Sequence, residues 1–170
     1  MAHVEATRHL AASQDALWAT VADPRTWDKW FTVHDRWLHR PPASLAEGTR
    51  LTARAVFLGV ANWIEWTVQS IVAPTSLVLV GTGVADLKAQ CEFAIAPAGS
   101  GSLFTLTGDF AGTPVTGALV KAIERDGIDH VDRSLQLLDA LASATRTSPP
   151  PAAEFVRPVL RLVRGVGPKA

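Results

Sequence analysis

The chain has no tyrosine, one cysteine and one methionine among its 170 residues. Without tyrosine, one common general acid is missing. A lone Cys91 makes no internal disulfide and no zinc ligand set, so a reducing cytoplasm is the expected compartment. An excess of either charge is lacking too: 16 basic residues face 16 acidic ones, for a formal net charge of zero. A nucleic-acid binder normally carries a clear basic surplus, so no nucleic-acid partner is expected. No apolar run approaches the ~20 residues of a membrane span. The opening MAHVEATRHL lacks the basic-then-apolar order of a signal peptide. The glycine fingerprints of phosphate and dinucleotide sites, a His-x-x-x-His pair and a Gly-x-Ser-x-Gly elbow are all absent, and neither a metal nor a cofactor is expected.

Tryptophan, by contrast, is concentrated. Three of the six, Trp27, Trp30 and Trp37, fall within DPRTWDKWFTVHDRW. Tryptophan suits a large apolar surface with one polar edge. Such a segment either plugs a core or forms the mouth of an apolar cavity. Hydrophobic residues make up 48% of the chain and charged ones 19%, which supports one globular domain with a real core.

Periodicity gives the order of elements. From Ala2 to Ala11, Val4, Ala6, Arg8 and Leu10 alternate with His3, Glu5, Thr7 and His9, as in a strand. Ser13 is placed to cap a helix over QDALWATVA, and Asp23-Pro24 ends it. A second short helix is expected over Trp27–Trp30. HRPPASLAEGT reads as a loop. Alternating runs follow, closely spaced: TRLTARAVFL, NWIEWTVQSIV, SLVLVGTG, ADLKAQCEFAIA and LFTLTGDF. Their short links argue for an antiparallel meander. After Gly112 the period becomes helical, with Val115, Leu119, Ile123, Val131, Leu135, Leu138 and Ala142 along one face. That predicts one helix over 113–143, ~45 Å long at 1.5 Å per residue, with Gly127 near its middle. TRTSPPPAAE then reads as a linker. The last segment carries Arg157, Arg161, Arg164 and Lys169, a basic tail suited to weak membrane or protein contact. The expected fold class is α+β. About six curved antiparallel strands wrap one long C-terminal helix, with two short helices after the first strand. The domain spans residues 1–145 and the linker and tail 146–170.

This order, with ALWATVADPRTWDKW, the Gly48 turn, WIEWTV, IVAPTSLVLVG and the closing SLQLLDALAS, resembles the START/polyketide-cyclase (SRPBCC) superfamily of helix-grip proteins. The likeness covers about residues 3–143. WDKWFTVHDRW, EGTRL and GTGVADLKAQ are similar to small actinobacterial members, some labelled toxins of toxin-antitoxin pairs. The resemblance implies an internal cavity for a lipid, a sterol or a polyketide-like molecule. It specifies fold far better than activity.

Candidate ligand contacts follow from the inward phases. They are Phe57, Trp66, Phe93, Phe104 and Phe110 on the strands and the three clustered tryptophans, with access expected beside the latter. Arg8 shares the inward phase of its strand, where it either anchors an acidic head group, forms an internal salt bridge or reaches out to solvent from the strand end. His130 lies next to inward Val131 and one turn after Asp126, so it either meets the ligand or makes a surface pair. His34, Asp35 and His39 read as surface loop groups, and Cys91 as a small buried hydrophobe. No catalytic residue is assigned. The expected function is binding or transport of a hydrophobic small molecule. The alternatives are a cyclase/dehydratase in the same cavity, with His130 or Arg8 as its polar group, and a toxin-like interaction module working through the exterior.

Overall fold

The computed structural model describes residues 1–146. The basic tail expected beyond them lies outside the described residues. Seven strands form one antiparallel sheet in the order β1-β7-β6-β5-β4-β3-β2. They are β1 (Ala2–Leu10), β2 (His34–Trp37), β3 (Arg50–Phe57), β4 (Val60–Val72), β5 (Ser76–Gly83), β6 (Lys88–Ala98) and β7 (Gly101–Ala111). Helix α1 (Gln14–Val21), a single 3-10 turn (Pro24–Thr26) and α2 (Trp27–Trp30) follow β1, and α3 (Ala118–Arg146) closes the described chain. The sheet has one strand more than expected. Strand β2 is four residues long and its register shifts between His34 and Arg36, so no alternation marks it in the sequence.

Alternation decides the faces. Ala53 and Ala55 on β3, Ile64, Trp66 and Val68 on β4, Leu77 and Leu79 on β5, Cys91, Phe93 and Ile95 on β6 and Phe104 and Leu106 on β7 are all buried. Val131, Leu135, Leu138 and Ala142 of α3 complete the same cluster. Each large apolar side chain removed from water in this way contributes about 1.5–3 kcal/mol. Helix α3 begins at Ala118, five residues later than expected. Gly117 takes a left-handed φ of 56°, and Val115 instead packs with Ala2 and Ile123 in a small second cluster.

Two contacts hold α3 close to the sheet. A Cβ on Gly127 would lie 2.5 Å from Val4 Cγ2, so glycine here is what allows the helix to approach β1. Asp139 of α3 accepts hydrogen bonds from the backbone N–H groups of Ala11 (3.1 Å) and Ala12 (2.9 Å), which fixes the turn into α1. At α1, Ser13 caps as expected, its hydroxyl accepting from Ala16 N. Among the described residues no helix is long and apolar enough to cross a membrane.

Candidate ligand cavity

Three voids lie against the inner face of the sheet, two of them bordered by α3. The outermost, about 190 Å³, is framed by Leu58 and Val60 at the β3–β4 turn, Pro114 and Val115 before α3, and Leu119 and Ile123 on its first turns. A second, about 40 Å³, lies under Gly127, His130 and Val131 of α3. A third, about 30 Å³, lies beneath Ala53 and Ala55 of β3 beside Trp27 and Trp66. Phe57 and Phe110 border all three. Their rings stand edge to face, centroids 4.9 Å apart. The pair stands between the outer space and both inner ones, and Phe31, Val33 and Cys91 also border both inner voids.

The small inner voids follow from residue size. Inward positions on β3 hold Ala53 and Ala55, and on β7 Gly108 stands opposite Val4. Trp66 fills its share differently: its ring lies against Gly81, where any Cβ would sit 2.6 Å from the indole.

The tryptophan segment forms a plug. Trp27 and Trp30 are each 1% exposed. Trp27 contacts the rings of Trp30, Phe31, Trp37 and Phe93, at centroid distances from 5.3 to 6.4 Å. The indole N–H groups are all satisfied: Trp27 donates to Val21 O (2.9 Å), Trp30 to Thr26 Oγ1 (3.3 Å) and Trp37 to Pro24 O (2.9 Å). Phe93 and Phe104, both fully buried, are likewise solid core and border none of the three voids. Arg8 turns away from the interior. Its backbone keeps the inward phase, opposite buried Phe104, but β1 is an edge strand. The long side chain runs past the flank of α3 to pair with Asp132 at 2.6 Å, half-exposed.

His130 does border the second void, and it is held from two sides. Its Nδ1 lies 2.7 Å from Thr32 Oγ1 and its Nε2 3.5 Å from Asp126 Oδ2. That same Asp126 oxygen accepts from Leu58 N (3.0 Å) at the β3–β4 turn. Ser134 Oγ accepts from Thr32 N (3.0 Å). This network fastens both the link into β2 and the β3–β4 turn to α3.

His34, read from sequence as a surface group, is 8% exposed. It lies between an outer cleft, with Asp28, Asp35 and Arg36, and the 30 Å³ void. Burial, outweighing the attraction of Asp28 and Asp35, lowers its pKa from 6.5 to about 4. Burial also pushes the Cys91 thiol up to about 12, which leaves it an inert hydrophobe at neutral pH. A larger concavity of about 550 Å³ lies on the other face of the sheet among Arg50, Glu65, Thr67, Lys88, Gln90 and Asp109. Its charges are mixed, and Trp66, Val80 and Ala111 line it as well. Among the described residues no group of three His, Cys, Asp or Glu side chains is placed to hold a metal.

Known proteins share this arrangement. An uncharacterized protein of Mycobacterium tuberculosis is 26% identical over 136 residues, covering 80% of this chain and 95% of the relative. Among solved structures, a START superfamily protein from Mycobacterium smegmatis matches at a TM-score of 0.66 and 19% identity, over 84% of this chain and 98% of the other. A Chromobacterium violaceum protein matches at 0.65 and 14% identity, with the same coverage. Both establish the helix-grip fold. The family model described as polyketide cyclase / dehydrase and lipid transport matches residues 1–143. This chain belongs to the polyketide cyclase/dehydrase and lipid transport family and shares its fold with the START superfamily protein of Mycobacterium smegmatis.

Proposed function

We propose that this chain binds a hydrophobic small molecule between the sheet and α3, as a carrier or sensor. The observation that carries the reading is the set of three apolar voids, the outer one sharing only Phe57 and Phe110 with each of the inner two. Access runs through the outer void rather than past the tryptophan plug. Exposed Leu58, Val60 and Leu119 give that mouth an apolar rim. Rotation of the two phenylalanine rings joins the outer space to the inner ones, a side-chain motion that needs no change of fold. Sites of this kind are mostly apolar with a few placed polar groups. A cytoplasmic location is part of the proposal.

Delipidated protein titrated with fatty acids, sterols and aromatic polyketides tests the reading. Binding should perturb the ring signals of Phe57 and Phe110. Absence of binding in both the wild type and Phe57→Ala would refute it.

A second reading, cyclase or dehydratase, is favoured by one observation: His130 borders the cavity and is oriented by Asp126 and Thr32, as a proton-moving group must be. Arg8, engaged with Asp132 at the surface, has no part in it. On this reading His130→Gln keeps ligand affinity and abolishes turnover of an aromatic polyketide. Turnover that survives the substitution would exclude His130 as the proton carrier.

A further inference from the structure

Three observations meet at His34. Among the described residues, its Nε2 is the one buried side-chain polar atom with no hydrogen-bond partner. A buried donor or acceptor left unpaired is costly, and native structures keep few of them. Second, the side chain faces the ligand space. His34 pairs with Ala55 across the β2–β3 ladder and so shares its inner face. The methyl side chains of Ala53 and Ala55 leave room in front of the imidazole, within the 30 Å³ void. Third, no charged side chain borders that void. Its other lining groups are apolar, apart from the Cys91 thiol. The cation that shares the inward phase, Arg8, is paired with Asp132 outside.

We infer that the inner end of the cavity holds an uncharged hydroxyl or carbonyl group of the ligand, hydrogen-bonded to His34 Nε2, and discriminates against carboxylates. This rests on the ligand-binding reading above and names the class of ligand. A neutral imidazole suits the task, since Nε2 accepts from a hydroxyl in one tautomer and donates to a carbonyl in the other. Burial keeps the ring neutral at physiological pH, so it offers no positive charge to an acid. A carboxylate placed there would be desolvated without a counter-ion, which is far costlier than burying a hydroxyl that finds a partner. Size sets the rest of the class. An apolar cavity of about 150 Å³ accommodates a benzene ring. The 190 Å³ outer void together with the inner spaces therefore suits a molecule of one or two rings or a short chain. The ligand is a small, neutral, apolar alcohol, phenol or ketone.

Three probes of one shape separate the terms: naphthalene, 2-naphthol and 2-naphthoate, titrated calorimetrically into delipidated full-length protein at pH 7.5. A single hydrogen bond predicts 2-naphthol to bind roughly threefold to tenfold tighter than naphthalene, with 2-naphthoate the weakest. His34→Leu should erase the naphthol advantage while naphthalene affinity holds. The His34 Nε2 resonance in long-range ¹⁵N spectra of the wild type should move with 2-naphthol and not with naphthalene. This last measurement needs no variant to fold. Naphthoate binding as tightly as naphthol, an advantage that survives His34→Leu, or an unmoved Nε2 in the naphthol complex would overturn the inference and leave ligand binding intact. Failure of all three probes to bind both the wild type and Phe57→Ala would instead bring down the ligand-binding reading, and this inference with it.

Discussion

Acid should destabilise this protein through His34, and the size of the effect follows from its burial. The folded imidazole takes its proton near pH 4, the unfolded one near 6.5. Between those values the unfolded chain binds more protons, so stability falls as pH falls. It is full above about pH 6.5, declines from there toward pH 4, and His34 adds no further loss below. At 1.36 kcal/mol per pH unit, the whole gap is worth about 3 kcal/mol, of which about 2 kcal/mol has gone by pH 5. The perturbation is His34→Gln, which keeps a neutral polar side chain at every pH. Urea unfolding of both proteins at pH 7.5 and pH 5 gives the comparison, because groups common to both cancel. His3 is such a group. Its pKa is raised by the hydrogen bond to Asp109, so it favours folding in acid and opposes His34. The wild type should lose about 2 kcal/mol more than the variant between the two pH values. Equal losses, within about 0.5 kcal/mol, would mean that the imidazole is hydrated and that the burial argument for His34 is mistaken.

Other consequences are as specific. Phe57→Ala removes half of the aromatic partition and should cost about 2–4 kcal/mol in urea unfolding. The same variant should bind naphthalene faster in stopped-flow fluorescence; an unchanged association rate would mean that the ring is no barrier. Gly127→Ala should destabilise by about 1–3 kcal/mol, although alanine is intrinsically the better helix former by about 1 kcal/mol. The new methyl would meet Val4 at 2.5 Å, so adding Val4→Ala should recover much of the loss, and the double variant reports whether it does. Cys91 should resist a disulfide reagent at pH 8 until the protein unfolds; rapid labelling of native protein would contradict its burial.

Much of the fold could be read from residue spacing, because alternation on β3 to β7 and the helical stripe of α3 each have one buried face. Where the reading failed or stayed open, geometry intervened that spacing does not encode. Arg8 has the phase of a buried residue, but at an edge strand a long side chain escapes. The tryptophans were visible as large apolar surface. Whether they plug or open the sheet depended on partners such as Val21 O and Pro24 O, which no periodicity reveals. His34 was hidden by the bulge that follows it, which breaks the period-two pattern within a four-residue strand. The late start of α3 was missed at Pro114 and Gly117, although neither favours a helix interior.

The central claim is an apolar ligand space between sheet and α3, divided by Phe57 and Phe110. Intermolecular NOEs from 2-naphthol to the protein test it most directly. The account predicts cross-peaks to Phe57, Phe110 and Val131. Cross-peaks confined to the outer face, at Thr67, Lys88 or Gln90, would contradict it.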